Sequence, residues 1–309
     1  MPLNSSRGAG SAKGFGLTAG AGKPFDADFL IVAGGGSAER TNGGSGGGAG
    51  GYRTSFPGGS KVTIKNGINT ITVGSGGVHP GSGDTAGNPG GTSSIAGLTT
   101  ITSAGGGSGG GNVPGTADGG SGGGRYTPAG GGSGNVPPTS PPQGNPGGGQ
   151  GSANGGGGGG GAANAGAGGT GAQTGGAGGN GSPSNITGAS VTYSGGGGGG
   201  TYDNPGNPTG TPGPGGTGGG GPGGTAFPGG FNGTPGTNGL GGGGGGTGAN
   251  QAGQGTAGSG GSGRVIVRFP SSASITVAPG TNTVTTHPGG DKLATFNVTG
   301  TLTYTGGAS

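Results

Sequence analysis

The chain has 309 residues, of which 107 are glycine and 23 proline, and its net charge is +4 with only 6 % charged residues. A hydrophobic fraction of 23 % with no tryptophan is too small for an ordinary oily core in a chain this long, and the absence of cysteine excludes a disulfide scaffold or a thiolate metal site. The 11 basic residues are scattered, which speaks against a nucleic-acid or membrane-surface footprint, and no apolar run approaches the roughly 20 residues of a membrane span.

The default for so much glycine and proline is disorder, because glycine loses the most backbone freedom on folding and buries no side chain. Two features oppose that default. The glycine runs are broken irregularly by Asn, Thr, Pro, Ala and aromatics rather than by charge, and strand-like segments stand at both ends of the glycine-rich stretch.

In chain order, residues 1–28 are read as an N-terminal attachment segment; their start lacks the charged and apolar regions of a secretory signal, so the protein is expected to be soluble after synthesis. Asp28-Phe29-Leu30-Ile31-Val32-Ala33 is a continuous apolar run ending in Gly34-Gly35-Gly36, the pattern of a central strand buried on both faces. Lys61 to Lys65 and Ile68 to Val73 alternate on either side of Asn66-Gly67 and predict a hairpin. A weaker hairpin is predicted around Ala96-Gly97. From 105 to 263 glycine runs alternate with Pro-, Asn-, Ser- and Thr-bearing spacers, and between Tyr126 and Gly263 there is no lysine or arginine and one acid, Asp203. Arg264-Val265-Ile266-Val267-Arg268-Phe269 then returns as a strand. Residues 270–309 read as a small C-terminal β unit closed by a terminal hairpin at Asn297-Val298-Thr299-Gly300-Thr301.

The middle cannot be a sheet held by side chains. Glycine can instead adopt an extended left-handed helix of about three residues per turn and about 3.1 Å rise, with every backbone group pointing outward. Such helices packed side by side satisfy one another through N–H to O=C bonds, because no Cβ holds the backbones apart. Uninterrupted glycine at 155–161, 195–200 and 241–246 is then a packing requirement, and the lack of charge follows from the cost of burying an unpaired ion. A collagen triple helix is excluded, since glycine does not recur strictly at every third position. The fold class expected is mainly β, with short strands framing a polyglycine-II-like core: a domain at 29–269, its β frame at 29–104 and 264–269 and its lattice at 105–263.

Phe29-Leu30-Ile31-Val32-Ala33-Gly34-Gly35-Gly36, Gly47-Gly48-Ala49-Gly50-Gly51-Tyr52-Arg53, Thr70-Ile71-Thr72-Val73-Gly74-Ser75-Gly76-Gly77 and Gly261-Ser262-Gly263-Arg264-Val265-Ile266-Val267-Arg268-Phe269 occur in one order. In this the chain resembles the glycine-rich domains of tailed-bacteriophage tail fibres and fibre-tip adhesins. The resemblance implies a sandwich of left-handed glycine helices whose end loops recognise the host surface. It further implies a virion protein made in the host cytoplasm and acting outside it, with a bacterial cell-surface receptor and other tail proteins as partners. A homotrimer sharing one lattice is one arrangement left open.

Chemistry is sparse. G-x-G-x-x-G recurs by chance in such a composition, and Gly22-Lys23 is followed by Pro24 rather than Ser or Thr, so no phosphate loop is present. His79 with Asp84 and His287 with Asp291 offer too few ligands for a metal, and each His-Pro-Gly is better read as a turn. Regularly spaced aspartates for calcium repeats are lacking, as is an acid–base set, so no cofactor, no metal and no enzymatic activity are expected. Aromatics in the spacers remain: Tyr126, Tyr193, Tyr202 with Asp203, Phe227 and Phe231 are the candidate receptor contacts, since a ring on a loop stacks on a sugar or enters a groove. Capping of the lattice end is the competing role for each ring. Two other functions stay open: a structural filament or capsid-fibre protein, and an ice-binding protein, which would need one regular Thr- or Ala-rich face that the irregular spacers do not suggest.

Overall fold

The computed structural model describes residues 23–41, 43–79, 81, 85–110, 117–125, 130–150, 155–170, 173–202, 210–226, 230–250 and 253–306. Among them the protein is mainly β and contains no helix. The strands are β1 (Phe25–Val32), β2 (Tyr52–Thr54), β3 (Val62–Ile64), β4 (Gly67–Thr72), β5 (Ser93–Ala96), β6 (Thr100–Ser103), β7 (Ser182–Ser184) and β8 (Val191–Tyr193). They continue with β9 (Ala249–Asn250), β10 (Gly253–Gln254), β11 (Arg264–Phe269), β12 (Ile275–Ala278), β13 (Thr283–Thr286), β14 (Lys292–Phe296) and β15 (Gly300–Tyr304).

Two antiparallel sheets face each other. One runs β13-β14-β11-β1-β2, with β3 also on β1, and the other β12-β15-β4-β5-β6. Alternation sorts their side chains: Phe29 and Ile31 of β1 join Val265, Val267, Ile71, Ile95, Phe296, Leu302 and others in the core between the sheets. The opposite positions Leu30 and Val32, with Ile266 and Leu293, pack on Ile186 and Tyr193 beside the β7–β8 hairpin. β1 is therefore buried on both faces, as its unbroken apolar run predicts.

Pairing departs from expectation at two corners. β3 and β4 do not form the hairpin predicted at Asn66-Gly67; β3 pairs with β1, and β4 with β15 and β5. Only Gly67 (φ 88°) of that dipeptide has positive φ, whereas a two-residue type I′ turn needs both. Buried Asn69 supplies the reason: its Oδ1 accepts from the Lys65 N–H (3.1 Å) and its Nδ2 donates to the Lys65 carbonyl (2.9 Å), so a side chain takes the ladder partner's place and the chain turns from one sheet into the other. The terminal hairpin is likewise replaced. β14 pairs with β11 and β13, β15 with β12 and β4, and buried Asn282 accepts from the N–H groups of Asn297 (3.0 Å) and Val298 (3.2 Å) at the crossing. The strands of 270–309 thus belong to both sheets and not to a unit of their own. The hairpin predicted around Ala96-Gly97 does form, as β5–β6.

Strands run directly into the glycine segments, whose hydrogen bonds follow a strict rotation. Gly34, Ser37 and Arg40 donate to Gly91, Asn88 and Thr85, Gly35 and Ala38 to Gly261 and Gly258, and Gly36 and Glu39 to Gly48 and Ser45. In 44–51, Gly44, Gly47 and Gly50 donate to Thr247, Gly244 and Gly241, Gly46 and Ala49 to Gly157 and Gly160, and Gly48 and Gly51 to Gly107 and Ala104, at 2.8–3.0 Å. The carbonyls of the same stretch accept from three further segments: Gly44 and Gly47 from Gly200 and Gly197, Ser45, Gly48 and Gly51 from Glu39, Gly36 and Ala33, and Gly46 and Ala49 from Gly124 and Ser121. Partners recur every third residue, and six neighbouring segments surround the one. None of the glycines at 155–161, 195–200 or 242–246 has a positive φ.

Candidate functional site

The glycine segments have two ends with different chemistry. At the frame end they join strands. At the far end the backbone is tied by isolated bridges, Arg40 to Thr85, Gly155 to Thr201 and Tyr202 to Ala249 among them. Tyr202 and Phe231 both stand at this end: the Phe231 carbonyl accepts from Gly248 (2.7 Å) and the Thr201 carbonyl from Ala249 (3.0 Å), so their backbones flank 248–249. Both residues are half-buried. Tyr126, Asp203 and Phe227 lie outside the described residues.

Tyr193 is elsewhere. It sits on β8, 1 % exposed, packed with Leu30, Val32 and Ile266, and so is a core residue and not a surface contact. Burial raises its phenol pKa, with Arg264 opposing. The β-rich triplet Val191-Thr192-Tyr193 was the signal that it belongs to a strand. His287 is in a turn as expected: its Nδ1 accepts from the Gly289 N–H (2.8 Å) and its carbonyl from Gly290 (2.8 Å). Asp291 is held by Arg268 Nε (2.8 Å) instead.

A groove of about 330 Å³ opens at the frame end, where β2 and β6, edge strands of the two sheets, lie side by side. Arg53 spans the gap, its Nη1 donating to the Thr102 carbonyl (2.9 Å). Ile101, Pro141, Pro142 and Ala162 give the groove apolar walls, and Ser60, Ser140 and Ser182 hydroxyl-bearing rims. The proline wall is fixed from within. Gln143 is 1 % exposed; its Oε1 accepts from Ala104 (2.8 Å), its Nε2 donates to the Pro137 carbonyl (2.8 Å) and its own carbonyl accepts from Tyr52 (2.8 Å). Asn135 (φ 56°) accepts through Oδ1 from Thr139 (3.0 Å) and Gln143 (3.2 Å). Tyr52 donates its hydroxyl to the Pro183 carbonyl (2.9 Å), anchoring β7, and burial raises its pKa.

Charge in the groove is unbalanced. Lys61 is paired with Asp28 (3.3 Å), and the other ion pairs, Arg125 with Asp118 and Arg268 with Asp291, lie elsewhere. Arg53 has no carboxylate partner among the described residues, and burial lowers its pKa below the ordinary arginine range. No contiguous motif could have announced this site, because its residues come from separate parts of the chain.

The frame and the segments it carries are what a family comparison recognises: a model described as a glycine-rich domain matches residues 6–270. The chain belongs to that glycine-rich domain family. No curated protein matches it. The glycine-rich domain as matched takes in β1 to β11 and both ends of the glycine segments, while β12 to β15, which complete the two sheets, lie beyond it.

Proposed function

We propose that the glycine segments are packed left-handed polyglycine-II helices, and that the protein is a bacteriophage tail-fibre or fibre-tip adhesin whose lattice rigidly displays loops to a receptor on the bacterial surface. The observation that carries the reading is the three-residue rotation of hydrogen-bond partners among six neighbouring segments. A helix of three residues per turn points successive N–H groups about 120° apart, which generates that rotation when neighbours surround it. At about 3.1 Å per residue, a seven-residue stretch such as 155–161 makes a slab about 20 Å thick. Loops leaving it start from fixed backbone, so binding a receptor does not have to order their ends. The phage assignment, with its place in a virion and action outside the cell, rests on the resemblance of the ordered motifs.

The test is saturable adsorption of labelled protein to a panel of bacterial strains, with light scattering on the same sample. Adsorption to some strains by monodisperse protein supports the adhesin; no adsorption together with filament formation replaces it by a structural role. Tyr202→Ala is expected to fold, since the contacts that fix residue 202 are made by backbone, and to adsorb about tenfold more weakly if the ring is a contact of ordinary hot-spot strength. Unchanged adsorption would remove Tyr202 from the site.

One observation favours a second reading. On the outer face of the second sheet Ala278, Thr301, Thr70, Ala96 and Thr100 stand in one row across five strands, and Thr72, Ser94 and Thr102 in another. A regular face of Thr, Ser and Ala of this kind supports an ice-binding reading, and a thermal-hysteresis measurement decides it.

A further inference from the structure

We propose that the groove between β2, β6 and the proline wall is a binding site for an acidic saccharide, one sugar ring of which places its carboxylate on Arg53. The site is distinct from the far-end loops and does not depend on their role, because its residues belong to the frame end.

The charge argument comes first. A guanidinium partly removed from water and lacking a carboxylate gains most from an anion that can take its planar fork. Only one nitrogen of Arg53 is engaged by the protein, on the Thr102 carbonyl at 2.9 Å. Lys61, on the same groove but neutralised by Asp28, adds a second cation without excess charge. The expected ligand therefore carries a single carboxylate per ring.

Shape and polarity point to a sugar. A volume of about 330 Å³ is at the small end of ligand pockets and suits a compact ring, not an extended chain. Pro141, Pro142, Ile101 and Ala162 offer C–H surface to the apolar face of such a ring. The hydroxyls of Ser60, Ser140 and Ser182 have no protein partner among the described residues and can bond the ring hydroxyls. The wall is preset by Gln143 and Asn135, so little ordering accompanies binding.

Titration calorimetry of the full chain with an oligogalacturonate, with its carboxyl-reduced counterpart and with a short peptide bearing a free C-terminal carboxylate tests the proposal. The acidic oligosaccharide should bind at one site per chain and weaken with salt, and carboxyl reduction or Arg53→Gln should each lower affinity about ten- to a hundredfold. Arg53→Lys should recover part of the loss, since it keeps the charge but not the fork. Equal binding of acidic and reduced sugars, no binding of either, or binding of the peptide alone would overturn the proposal. If Arg53→Gln does not fold, the comparison of acidic with reduced sugar on the unaltered chain still decides. Strains that adsorb the protein while no saccharide binds would leave the adhesin standing and remove this site; saccharide binding without adsorption would do the reverse.

Discussion

A Cβ on Gly197 would fall well inside contact of the Gly244 carbonyl, and one on Gly243 inside contact of the Gly47 carbonyl, both rigid backbone atoms that cannot yield without moving a whole segment. Gly280, by contrast, has nothing within 4 Å of that position and no positive φ. Gly197→Val and Gly243→Val are accordingly expected to abolish cooperative unfolding followed by circular dichroism. Gly280→Ala should be neutral or stabilise by up to about 1 kcal/mol through the unfolded chain. A lattice tolerant of valine at 197 and 243 would refute the close-approach account. The requirement for unbroken glycine was legible in the sequence because it depends on residue type alone. The roles of Asn69 and Asn282 were not, since an asparagine that closes a corner between sheets looks the same in a sequence as one that opens a hairpin turn.

At the scale of elements, the strands themselves were readable from alternation and β-branched content, whereas partner choice was not. β3 and β4 are adjacent in sequence and end in different sheets, and that is settled by β1 and β15, which are far away in the chain. Tyr193 of the β7–β8 hairpin packs on β1 and β11, and Tyr52 of β2 ties β7 down through the Pro183 carbonyl; burial raises the pKa of both above the ordinary 10.0. Both phenols hold their protons in the folded state at a pH where the unfolded chain releases them. The folded state then binds more protons, so stability is full below about pH 10 and falls as pH rises beyond it. Urea midpoints should drop between pH 9 and pH 11, and the drop should shrink in a chain carrying Tyr52→Phe and Tyr193→Phe. An undiminished drop would show that other groups cause it.

For the whole molecule, β14 and β15 lie inside the two sheets, next to β11 and β4. Their side chains Phe296, Leu302 and Tyr304 are at most 1 % exposed in the shared core. A chain truncated after Pro270, which keeps the entire family match, should therefore fail to fold cooperatively; a folded truncated protein would restore 270–309 as an independent unit. The groove went unseen for the same reason that the sheet order did, because Arg53, Ile101, Pro141 and Ser182 are neighbours only after folding.

The rotation of partners every third residue carries a last consequence. In a helix of three residues per turn, one glycine added within 155–161 would slide each later glycine onto the bonds its successor made and turn the chain's point of exit by a third of a revolution, while three would restore the exit direction. On the proposed helical packing the length of a glycine segment thus sets the direction in which its loop departs, and a segment that keeps its loop aimed the same way grows or shrinks in triplets.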